Sequence, residues 1–109
     1  MDDILNVCKN LNEIIKESSQ YREFVSARSA LKSSGELYNR LLDFKRQYND
    51  IQTYYDGNPY DEIYKLWDDN DDLLHNSLVS DYLKKENALS ELVKKMVDII
   101  TDGLTNNME

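Results

Sequence analysis

The sequence predicts an all-α fold, a helical bundle of about five helices with a long middle helix and a long C-terminal helix. Three observations carry that expectation. Apolar residues recur at spacings of three and four along most of the chain, the period of a helix buried on one side. Three Gly and one Pro are all that punctuate 109 residues, so turns are few and helices can be long. No stretch reads as a strand. At this length the chain is the size of one domain, expected to be a single helical domain over residues 1–104 with a polar tail at 105–109.

The first helix is expected to start at Asp2 or Asp3, whose carboxylates can cap free backbone N–H groups. It carries Ile4, Val7, Cys8, Leu11, Ile14 and Ile15 inward and breaks at Ser18 and Ser19. Cys8, the one cysteine, has no internal disulfide partner, and its place on the apolar stripe predicts a buried, inert thiol. A second helix presents Tyr21, Phe24, Ala27 and Leu31. Ser33 followed three residues later by Glu36 then predicts a capping box for the third.

That third helix has the cleanest period in the chain: Leu37, Leu41, Phe44, Tyr48, Ile51 and Tyr55 alternate spacings of four and three. Such a seam packs along another helix at a shallow angle. It ends at "DGNP", where Asn58 can cap the next helix and Pro59 can take its first position. Tyr60, Ile63, Trp67 and Leu74 are expected to face inward, with Leu66 and Leu73 beside them. Asn76 or Ser77 caps the last helix, which runs to about Gly103. Two helices of around twenty residues or more, each about 30 Å long, protrude from so small a chain. Part of their stripe then needs a second subunit as cover, so at least a homodimer is expected.

The net charge of −8 is unevenly spread. Residues 1–34 sum to zero, 35–58 to −1, 59–76 to −5 and the rest to −2. With no Lys/Arg stripe to engage phosphates, direct nucleic-acid binding is not expected, and protein partners are. No stretch approaches the roughly 20 apolar residues of a membrane span, and "MDDILNVCKN" begins acidic where a signal peptide would be basic. A cytoplasmic location without membrane insertion follows as the expectation.

Candidate chemistry is sparse. In "DDNDDLL", Asp68, Asn70 and Asp72 match the first three ligand positions of a calcium loop, but the sixth and twelfth positions hold Leu73 and Val79 where Gly and Glu are needed. A solvated acidic face, Asp68, Asp69, Asp71 and Asp72, is the plainer reading. His75 stands alone, without a second His or a Cys nearby, and suits a helix C-terminus. No phosphate loop and no nucleophile–base signature is present, so no catalytic, metal or cofactor residue is assigned and the chain is expected not to be an enzyme. The reading from another class is a small metal-dependent enzyme or ligand-binding protein whose carboxylates gather between helices. Eight tyrosines beside one Trp are the more informative excess, since tyrosine serves core edges and protein interfaces alike. Tyr54, Tyr55, Tyr60 and Tyr64 flank the "DGNP" turn next to Asp61, Glu62, Asp68 and Asp69. That aromatic and acidic end, with Trp67 and the third-helix seam, is the candidate partner surface.

The order of "ILNVCKNLNEIIKESSQYREFVSARSAL", "SSGELYNRLLDFKRQYNDIQ" and "NSLVSDYLKKENALSELVKKMVDII" resembles the bacterial YlbF/YmcA family of small helical proteins. The three segments look like that family's first helical pair, long middle helix and final helix. The resemblance implies a self-associating cytoplasmic protein that acts through other proteins: family members form complexes that modulate the endoribonuclease RNase Y, and thereby competence, biofilm formation and sporulation. A family paralogue or RNase Y is the implied partner. Iron–sulfur clusters have been associated with such complexes, but a cluster needs several thiolates and this chain has Cys8 alone.

One irregularity belongs to the last helix. Tyr82, Leu89, Val93, Met96 and Ile100 form its stripe, yet the turn after Tyr82 offers Lys85 and Glu86. Arg28, seven residues after Tyr21, is a matching flaw in the second helix. An Arg28–Glu86 pair would satisfy both and fix register in an assembling seam; exposure of that turn at the bundle's edge is the simpler alternative.

Overall fold

The computed structural model describes residues 2–54 and 56–104, and within them the fold is all-α. Six helices follow one another: α1 (Asp2–Glu17), α2 (Ser19–Lys32), α3 (Gly35–Tyr54), α4 (Pro59–Asp69), α5 (Asp71–Leu74) and α6 (Ser77–Thr101). At 1.5 Å per residue α3 is about 30 Å long and α6 about 38 Å. The extra helix relative to expectation comes from a break at Asn70, whose backbone N–H bonds back to Leu66 and Trp67 and ends α4. The expected tail at 105–109, and Tyr55, lie outside the described residues.

Local chemistry sets most of the boundaries. Ser18 separates α1 from α2: its hydroxyl donates to the Ile15 carbonyl at 2.6 Å and accepts the Tyr21 N–H at 3.2 Å, closing one helix and opening the next. Asn58 accepts the Tyr60 N–H at 3.0 Å with Pro59 in the first turn of α4. Asn76 accepts from Leu78 and Val79 at the head of α6. Past Thr101, Gly103 takes a positive φ of 80°, the left-handed geometry that commonly closes a helix. The expected Ser33–Glu36 box does not form. Ser33 instead turns its hydroxyl back onto the Ala30 carbonyl, and the Ser34 carbonyl receives the first N–H of the next turn, from Tyr38.

The chain divides into two compact units, one of residues 27–82 and one of residues up to 26 with those from 83 onward. In the 27–82 unit, α3, α4 and α5 pack on one another around an apolar core. Leu31, Leu41, Leu73 and Val79 are fully enclosed, and Ala27, Ile63, Leu66 and Tyr82 are buried with them. Enclosing each such Leu or Val contributes about 1.5–3 kcal/mol. Among the described residues, no buried side chain lies outside this unit.

The other unit corrects two expectations. Ile4, Val7, Cys8 and Ile14 of α1 are exposed, Leu11 and Ile15 half-exposed, so the stripe does not point into a core and Cys8 is not buried. On α6 the distal stripe is also open, with Val93, Val97 and Ile100 exposed. The Lys85 turn of the same unit is polar for a visible reason: Lys85 lies 3.9 Å from Glu23 of α2. No helix among the described residues is long and apolar enough to cross a membrane.

Candidate interaction surface on the 27–82 unit

The α3 seam divides into an inner and an outer part. Leu41 is fully enclosed, while Leu37, Phe44, Tyr48 and Ile51 are half-buried. Phe44 and Tyr48, one turn apart, stack with centroids 6.4 Å apart. Tyr82 is held from the start of α6, with the Lys45 ammonium 5.2 Å from its ring centroid, a cation–π arrangement.

On α4 the structure reverses the expected facing of the aromatic residues. Ile63 and Leu66 enter the core, with Leu73 of α5, while Tyr60, Tyr64 and Trp67 are exposed. The stripes Tyr60–Ile63–Trp67 and Ile63–Leu66 share one residue, and burial goes to the compact aliphatic side chains. Tyrosine can keep its hydroxyl in water at lower cost, so it stays on the rim. Tyr64 and Trp67 meet edge to face, centroids 6.0 Å apart. Tyr54, at the end of α3, is 79% exposed. Tyr54, Tyr60, Tyr64 and Trp67 thus form an outward aromatic display of the 27–82 unit.

The acidic residues beside it are organised by cations of the protein itself. Arg40 on α3 grips Asp72 with two hydrogen bonds, 2.9 and 3.1 Å, and reaches Asn70 Oδ1 at 3.5 Å. This fork ties α3 to the α4–α5 break, and the guanidinium holds the Asp72 carboxyl down at about 2. Asn70 adds a bond from its side-chain nitrogen to the Leu66 carbonyl at 2.9 Å. His75 caps α5 as its position suggested, with Nδ1 2.9 Å from the Asp71 carbonyl oxygen and 3.2 Å from its carboxylate. Asp43 is shared by Arg46 and Gln47, which draws its carboxyl below the usual range.

Between α3 and α4 runs an open groove of about 160 Å³, lined by Gln47, Ile51, Glu62, Lys65, Leu66 and Asp69. It is smaller than the roughly 300–1,000 Å³ of small-molecule sites. Among the described residues no three His, Cys, Asp or Glu side chains converge as a metal-binding group. Of the residues read from sequence as interface, Leu37, Leu41, Phe44, Tyr48, Ile51, Tyr60, Tyr64 and Trp67 come together in this unit. Arg28 belongs to it as well, half-buried on α2, whereas Glu86 is half-buried on α6 in the other unit. Arg40, which orders the acidic end, was missed. Its partner lies 32 residues away, and no local spacing signals such a pair.

A model of the family described as Com_YlbF, control of competence regulator ComK, YlbF/YmcA, matches residues 4–105. No curated protein matches the chain.

Proposed function

Because the chain belongs to the YlbF/YmcA family, described as controlling the competence regulator ComK, we propose that it is a non-enzymatic regulatory or scaffolding protein of the cytoplasm. It works by self-association and by docking a protein partner. The partner surface is the aromatic display of Tyr54, Tyr60, Tyr64 and Trp67 with the acidic residues around it. The partner is a family paralogue or an RNase Y-type RNA-processing complex, through which competence, biofilm formation or sporulation is tuned. The supporting observation is that these large aromatic side chains are exposed beside a core that is already filled. Aromatic anchors that are not needed for folding are the residues that dominate protein interfaces.

The test is capture of the tagged protein from lysate of its own host, comparing the wild type with a Tyr64→Ala, Trp67→Ala double variant. Recovery of a family relative or the ribonuclease with the wild type and its loss with the variant is expected. Equal recovery with both removes the aromatic display from the interface. A rise in melting temperature on titrating common divalent ions would instead favour metal-dependent chemistry, because a ligand of the folded state must stabilise it.

A further inference from the structure

Helix α1 is an amphipathic helix whose apolar stripe is left largely open among the described residues. Ile4, Val7, Leu11 and Ile14 repeat at spacings of three, four and three, with Cys8 and Ile15 alongside. Ile4 is 72% exposed, Val7 64% and Ile14 61%. Monomers seldom leave so continuous an apolar stripe in water.

We propose that this stripe is the seat of a two-fold pairing with a second copy of the chain, α1 against α1 and antiparallel. The inference rests on the self-association in the proposed function and assigns it to α1 rather than to the aromatic residues of the 27–82 unit.

Three observations favour a second copy over other occupants. The first is area. Two such stripes bury on the order of 1,000 Å² when they meet, the size from which specific interfaces begin. The second is charge. The stripe carries none, Lys9, Glu13 and Lys16 lie on the opposite side of the helix, and residues 1–34 sum to zero, so two copies approach without repulsion. Asp3 and Glu17 border the stripe only at its ends, where water screens them. A membrane surface is disfavoured by the same balance, because interfacial helices carry a basic polar face.

The third is pattern. The stripe maps onto itself under a two-fold axis at residue 9, which sets Ile4 against Ile14 and Val7 against Leu11, apolar on apolar throughout. Opposed macrodipoles favour the antiparallel sense. The same axis brings the two Cys8 residues within two positions of register, about 3 Å along the helix, on one flank of the seam.

The native Cys8 therefore makes the geometry testable without introducing a cysteine. Sedimentation would be combined with treatment of the full chain by a short bismaleimide, for wild type, Val7→Asp, Ile14→Asp and the far-face control Glu13→Lys. Circular dichroism would check that each variant is folded. The expected result is a wild-type dimer that crosslinks through Cys8, association weakened at least about tenfold in Val7→Asp and Ile14→Asp by charge placed in the seam, and no change in Glu13→Lys. A dimer that persists in both stripe variants and gives no Cys8 crosslink overturns this pairing while leaving self-association intact. A wild type that is monomeric at every concentration overturns both.

Discussion

The two units use the same alphabet to opposite ends. Residues 27–82 place every buried side chain among the described residues in one core, from Ala27 and Leu31 to Val79 and Tyr82. Helix α1 carries a stripe of equal regularity, yet its described residues from Asp3 to Asn10 are all exposed. Periodicity tells which side of a helix is apolar, and it is silent on whether the cover comes from the same chain. Residues 27–82 are therefore read as a folded platform and helix α1 as a surface awaiting its complement.

The sharpest way to break that contrast is truncation on each side. Leu73→Ala, at a fully enclosed site, should cost about 2–5 kcal/mol in urea unfolding, whereas Ile4→Ala should cost the monomer no more than about 0.5 kcal/mol. Similar losses would mean that α1 is packed after all.

Removing the cap of α6 with Asn76→Ala should cost about 1 kcal/mol, because two N–H groups at Leu78 and Val79 lose their acceptor. A change confined to noise would show that water replaces the cap. The smallest effect belongs to the exposed fork of Arg40 and Asp72. The Asp72 carboxyl is depressed in the folded state to about 2, so its contribution is full above the ordinary carboxylate pKa of about 3.9 and fades as pH falls through about 2. The stability difference between wild type and Asp72→Asn should follow that course, and a difference independent of pH would contradict it.

Local signals proved legible where one side chain sets one boundary. Ser18, Asn58 with Pro59, and Asn76 mark helix starts that the sequence announces, and the cleanest heptad run became α3. The break at Asn70 was not read from the sequence, because Leu73 and Leu74 carry the apolar period past it, although Asn70, Asp71 and Asp72 are residue types that favour caps and turns. Nor was the facing of α4, since two overlapping stripes share Ile63 and the choice between them depends on the volume left by α3. The acidic segment was legible as charge but not as a fork, because Arg40 meets Asp72 only after the chain has turned back on itself. For α1 the period was legible and the environment was not, because what covers a helix is decided by its neighbours.

Amide hydrogen exchange as a function of protein concentration tests the contrast most directly. At high concentration α1 should be protected, and on dilution its amides should speed up while those of α3 and α4 stay unchanged. Protection of α1 that matches α3 and ignores dilution would contradict the central claim, since the stripe would then be covered by its own chain.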